Sequence, residues 1–227
     1  MNLILLFESD FLAPDRVRLT GRRLAHVTSV HRAAVGDTLV VGLAGGLLGS
    51  GVVTSLDPLE LRVTLDRQPP PPLPLTLILA LPRPKVLNRV IAGATSLGVK
   101  QIHLINAWRV EKSYWKSPRL ASLEEQCILG LEQARDTILP TITLHRLFRP
   151  FIESFAPSGR PLVAHPLASL ACPRSVHGEV TLAIGPEGGF IAQEIDSFQR
   201  AGFTPVSLGP RILRVETAVP ALLSRLF

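Results

Sequence analysis

Residues 68–74 read QPPPPLP, and five of the six positions 69–74 are proline. Proline locks φ and lacks a backbone donor, so this run is neither helix interior nor central strand. It predicts a stiff, extended spacer over 69–74. The 227 residues are thereby split into a leading segment, 1–68, and a longer one, 75–227.

The two segments follow different periodicities. In the first, short apolar runs alternate with glycine turns: DTLVVGLAGGLLGSGVVTSL (37–56), then LRVTL (61–65). This predicts a small all-β module, a barrel. In the second, LTLILAL (75–81), QIHLI (101–105), TITLH (141–145), LVAH (162–165), VTLAI (180–184) and PVSL (205–208) read as short strands. Between them, KVLNRVIAGATSLG (85–98) places Val86, Leu87, Val90, Ile91, Ala94 and Leu97 on one helical stripe. SPRLASLEEQCILGLEQARD (117–136), with Pro118 near its first turn, and IAQEIDSFQRAG (191–202) read as further helices. Strands alternating with helices predict an α/β domain on a mainly parallel sheet.

Open parallel sheets bind ligands at the carboxyl ends of their strands. Two glycine-proline elbows stand at such ends: IGPEGG (184–189) after VTLA, and LGPR (208–211) after PVS. Neither is a phosphate cradle, since there is no Walker lysine with its serine or threonine and no G-x-G-x-x-G. Glycines let backbone groups approach a ligand closely, so the pair suits a ligand held by backbone hydrogen bonds in an apolar slot, such as an adenine with a short polar tail. Glu187 is the lone carboxylate of the first elbow. Near a helix N-terminus its charged form is favoured, either as a cap or as a functional group.

The net charge of +6 is unevenly spread. Residues 1–68 carry seven basic and seven acidic side chains, whereas 83–119 carry eight basic groups and one acid, Glu111. That window also holds both tryptophans and the only tyrosine, in WRVEKSYWKSPR (108–119). Cations beside aromatic rings suit nucleic acid, through phosphate neutralisation and base stacking. They equally suit a solvated loop whose rings anchor it. A smaller basic cluster, Arg16, Arg18, Arg22, Arg23 and Arg32, lies near the start.

No apolar stretch reaches membrane-spanning length, and the start, MNLILLFESDF, lacks a basic leader, so a cytoplasmic protein is expected. Cys127 and Cys172 form no framework and suggest small buried residues in a reducing compartment. The six histidines show no metal-ligand pattern. His26 and His31, five apart, do not share an α-helical face, and no metal is expected.

Taken together, IGPEGGF with a following glutamate and SLGPRILRVETA (207–218) resemble the RsmE family, the 16S rRNA (uracil-N3)-methyltransferases of the SPOUT class. The likeness extends through LAHVTSVHRAAVGD (24–37), LNRVIAGATSLGVKQIHLINAWR (87–109) and LEQARDTILP (131–140). Ile191 departs from it, standing where a serine helix cap is usual, and Pro220 falls within the expected last helix, tolerable only near the first turn.

The resemblance implies a knotted SPOUT α/β methyltransferase domain preceded by a PUA-like, RNA-binding β-barrel. It also implies S-adenosylmethionine (SAM) as methyl donor, and a homodimer with active sites at its interface. Carried over by position, Gly185, Gly189, Leu208, Gly209, Ile212 and Leu213 hold SAM. Arg214 stabilises charge on the uracil, with Glu187 and then Glu216 as candidate bases. An Arg214–Glu216 bridge that only shapes the loop is the competing assignment. Arg22, Arg23, Arg32, Lys85, Lys112, Lys116 and Arg211 are the expected contacts to 16S rRNA of the small ribosomal subunit. The alternatives are a SPOUT methyltransferase acting on another RNA position and a non-catalytic RNA-binding or assembly protein.

Overall fold

A computed structural model describes residues 2–227. The chain forms two compact units: the chain up to Pro71 together with Cys127–Leu139, and Pro72–Gln126 together with Pro140–Phe227.

The first unit begins with β1 (Ile4–Leu6), β2 (Phe11–Ala13) and β3 (Arg16–Arg18). Helix α1 (Gly21–Ala25) runs on into a π-helical turn, His26–His31, and β4 (Thr38–Leu43), β5 (Leu48–Leu56) and β6 (Leu59–Arg67) follow. The sheet order is β1-β4-β5-β6-β3-β2, with β1 parallel to β4 and the other ladders antiparallel. Alternation puts Ile4, Leu6, Val17, Val41, Val53, Leu61 and Val63 on one face, around a core shared with Val27 of the π turn. A second cluster joins Leu3, Leu5 and Leu48 to Leu131. That contact explains why Cys127–Leu139 folds with this unit, although the sequence places it far beyond the prolines.

The π turn changes one expectation. In a π helix, residues five apart stack, and the His26 and His31 rings lie edge to face with centroids 4.8 Å apart. Among the described residues no group of three or more His, Cys, Asp or Glu is arranged to hold a metal.

The second unit is built on β7 (Leu75–Ala80), α2 (Pro84–Ser96), β8 (Gln101–Ile105), α3 (Leu123–Ala134, whose last part belongs to the first unit), β9 (Thr141–His145) and α4 (Phe148–Ser154). It continues with β10 (Arg160–Ala164), β11 (Val180–Ile184), α5 (Ala192–Arg200), β12 (Thr204–Val206) and α6 (Val215–Leu226). All ladders are parallel, in the order β12-β10-β11-β7-β8-β9. The near-continuous apolar runs of β7 and β11 fit strands covered on both faces: Leu77, Ile78, Leu79, Leu182 and Ala183 are fully buried. Residues 68–74 are irregular, as five prolines require.

Two helices differ from expectation. The helix expected over 117–136 starts at Leu123. Ser117 accepts the Arg119 N–H and caps a separate 3-10 turn, Pro118–Leu120. Pro220 lies in the second turn of α6, not the first. There it removes the hydrogen bond to the Glu216 carbonyl, a loss of about 3 kcal/mol in a helix interior. Buried Val215, Val219, Leu222, Leu223 and Leu226 form the stripe that offsets it.

Candidate active site

The carboxyl ends of β10, β11 and β12 open into one cleft of about 390 Å³. Its walls come from three loops: His165 and Leu167 after β10, Gly185–Phe190 after β11, and Ser207–Leu213 after β12. Val215, Ala218 and Leu222 of α6 close one side. Both glycine-proline elbows therefore meet on one concavity. Gly185, Gly189, Leu208, Gly209, Ile212 and Leu213 all line it, as do Glu187 and Arg211.

The first elbow needs its glycines. A Cβ on Gly185 would sit 2.9 Å from the Phe190 backbone nitrogen, which forces the loop apart. Gly189 has φ +72° and donates its N–H to the Pro186 carbonyl at 2.7 Å, closing the turn. In the second elbow Gly209, φ +123°, donates to the Ser207 hydroxyl at 3.0 Å. The side chains here are apolar and open: Ile212 is 81% exposed and Leu167 87%. Such a rim is complementary to a flat apolar ligand.

Three contacts fix the first elbow from outside. Glu187 is exposed, and its Oε1 accepts the Arg83 N–H at 2.9 Å, at the N-cap of α2. Arg109 packs along Gly188 and donates to its carbonyl. Glu194, 5% exposed, accepts the N–H of Ile191 at 3.0 Å and of Trp108 at 2.7 Å. The sequence marks Glu194 only as the glutamate that follows IGPEGGF, without a role, and gives Arg109 no role. For Glu194 a signal was present, a Glu three residues into a helix whose N-cap, Ile191, cannot cap with its side chain.

Arg214 is the exposed N-cap of α6, and Glu216 follows in the first turn. They flank the cleft's Leu213 and Val215 without lining the cleft themselves. No salt bridge joins Arg214 to Glu216 among the described residues.

The expected RNA contacts divide. Lys112 and Lys116 are exposed on a 3-10 turn, Lys112–Lys116, and Lys85 is exposed on the first turn of α2. The turn is anchored by Trp115, which is buried, donates Nε1–H to Asn106 Oδ1 at 2.9 Å and carries Arg146 over its ring at 5.3 Å. In the other unit, Arg32 is exposed at the end of the π turn, and Arg22 pairs with Glu132 at 2.9 Å. Burial raises the pKa of Glu132, and Arg22 opposes that shift. Arg23 is a correction. Its guanidinium turns inward, 14% exposed, onto both oxygens of Asp10 and the Leu5 carbonyl, because a buried carboxylate needs a charged, hydrogen-bonded partner.

The RNA methyltransferase domain family matches residues 69–227. The ribosomal RNA small subunit methyltransferase E of Treponema pallidum is 31% identical over 237 residues, covering 97% of this chain and 88% of its own length. The protein of the same name from Synechocystis is 30% identical, over 92% of this chain and 72% of its own. The crystal structure of the Neisseria gonorrhoeae methyltransferase E bound to S-adenosyl methionine superposes with a TM-score of 0.78. That likeness covers 98% of this chain and 95% of the other, at 23% identity, and shows a common fold. The chain belongs to the RNA methyltransferase family of the ribosomal RNA small subunit methyltransferase E proteins.

Proposed function

We propose that this chain methylates N3 of a uridine in 16S rRNA of the small ribosomal subunit, with SAM as donor. The observation that carries the reading is the convergence of both glycine-proline elbows on one cleft at the strand ends. The residues fit SAM. Gly185 leaves no room for a side chain, Gly189 and Gly209 line the cleft with positive φ and no side chain, and Leu208, Ile212 and Leu213 offer aliphatic surface to an adenine ring. When bound, SAM supplies a methyl group already activated on its sulfonium.

The chain's own residues then handle the acceptor. Uracil N3 must lose a proton, and a carboxylate takes it: Glu187 first, because it lines the cleft, with Glu216 as the second candidate. The negative charge spreads over N3 and the two carbonyls. Arg214, at the cleft's edge, stabilises it, while Arg211 holds the RNA. The target base turns out of its stack to reach the methyl group.

The finer architecture belongs to the same reading. The parallel-sheet unit is a knotted SPOUT domain and the mixed-sheet unit a PUA-like RNA-binding barrel. The chain works in the cytoplasm as a homodimer with its active sites at the interface. Exposed Lys85, Lys112, Lys116, Arg22 and Arg32 grip the surrounding RNA. Among the described residues no helix is long and apolar enough to cross a membrane. The reading is tested by incubating the protein with labelled SAM and small subunits that lack the modification. Label in 16S rRNA supports it, and label that never leaves SAM rejects it.

A further inference from the structure

The two tryptophans of the basic window have opposite surroundings. Trp115 is buried and bonded, whereas Trp108 is 79% exposed. The backbone of Trp108 is nevertheless held, because its N–H is fixed by the buried carboxylate of Glu194. The next residue, Arg109, is tied to the Gly188 carbonyl. Folding thus secures the main chain here and leaves a large apolar ring in water, forgoing the gain its burial would bring.

This residue pair faces two concavities. Arg109 lines the glycine-loop cleft. Trp108 lines a wider groove of about 820 Å³ formed with α4 and α5, lined also by half-buried Phe148 and by exposed Arg149 and Arg200. The carboxylates of that groove are already engaged: Glu153 by Arg149 at 2.7 Å, and Glu194 by two backbone N–H groups. Arg109 and Arg200 have no carboxylate partner among the described residues. An exposed indole beside uncancelled guanidinium groups, in the window that carries the chain's charge excess, matches one chemistry. It is an unpaired base flanked by phosphates.

We propose that Trp108 is a stacking platform for an unpaired base next to the methylated nucleotide, with Arg109 and Arg200 receiving the adjoining phosphates. The proposal rests on the reading of the chain as an enzyme that methylates a base in RNA. It adds a residue that grips the acceptor without touching the reacting atoms.

The experiment follows tryptophan emission while a single-stranded oligoribonucleotide of about six nucleotides is added, with no methyl donor present. Emission from exposed Trp108 is expected to be quenched. Trp108→Phe keeps a stacking ring, so it binds nearly as the parent but loses the quenching. Trp108→Ala binds about 5- to 150-fold more weakly, the range set by 1–3 kcal/mol per stacked base. In methyl transfer, Trp108→Ala raises KM for RNA and leaves SAM affinity unchanged. Two results overturn the proposal. One is parent emission unmoved by saturating RNA, including emission that changes only with protein concentration, which would assign the ring to a second copy. The other is Trp108→Ala binding as tightly as the parent. Quenching by RNA in a parent that transfers no methyl group would keep the platform and reject the catalytic reading.

Discussion

Glu194 and Trp108 lie 86 residues apart in the chain and are joined by a 2.7 Å hydrogen bond from the Trp108 N–H to Glu194 Oε1. The other oxygen of Glu194 takes the Ile191 N–H. One buried carboxylate thus ties the start of α5 to the segment after β8, and the first glycine elbow is framed between them. Glu194→Gln leaves one acceptor and turns the other toward an N–H as a donor. It is predicted to destabilise the fold by about 1–3 kcal/mol and to weaken SAM binding together with it. Urea unfolding and SAM titration measure the two effects. Parent values in both would show that the bonds position nothing.

Gly185→Ala probes the close approach inside the same elbow. Its Cβ would meet the Phe190 nitrogen at 2.9 Å, a contact with backbone and not with a side chain that can swing away. SAM affinity is predicted to fall about tenfold or more, the effect of some 1.4 kcal/mol, with the thermal midpoint lowered. Calorimetric titration checks it, and an unchanged dissociation constant contradicts the assignment of this loop.

The roles of Glu187 and Arg214 separate by kinetics. Glu187→Gln keeps an oxygen for the Arg83 N–H but cannot take a proton. As general base, Glu187 predicts a loss of about 10²–10⁴ in kcat, with stability near the parent's. If its role is only to cap α2, kcat stays within a few-fold and Glu216 becomes the base to test. Arg214→Ala is predicted to lower kcat about 10²–10³-fold at saturating SAM and RNA. A near-parental rate removes it from the chemistry.

Much of this arrangement is legible in the sequence because it is local. The β/α alternation after residue 75, the parallel sheet and the two strand-end elbows follow from periodicity and glycine-proline punctuation. What escapes is decided by partners distant in the chain. Nothing near Trp108 and Trp115 distinguishes them, since Asn106 and Arg146 bury one and Glu194 fixes the backbone of the other. Arg23 reads as one surface arginine among several until Asp10 draws it inward. Cys127–Leu139 joins the first unit through Leu131, whose partners Leu3, Leu5 and Leu48 lie far away in the chain. The pairing of His26 with His31 depends on a π turn that α-helical spacing does not anticipate.

A second histidine pair predicts a pH dependence. His103 Nδ1 and His145 Nε2 are 2.9 Å apart on β8 and β9, beside Phe151 and Phe155. Burial, and then the charge of His145, lower the pKa of His103; burial lowers that of His145. Both lie below the unfolded value of about 6.5, so the unfolded chain binds more protons as pH falls through this range. The stabilisation is complete above about pH 6.5 and is lost as pH falls toward the folded values. His145→Phe is predicted to flatten the loss of stability as pH falls below about 6.5, measured by urea unfolding at each pH. A slope equal to the parent's would contradict it.

The reaction assigned to this cleft is methyl transfer from SAM to N3 of a uridine. The most direct measurement is mass spectrometry of nucleosides from 16S rRNA, after unmodified small subunits react with the protein and SAM. The expected product is 3-methyluridine at a single position, absent when SAM is omitted. A methyl group on a ribose oxygen, on another base atom, or on no nucleoside would contradict it.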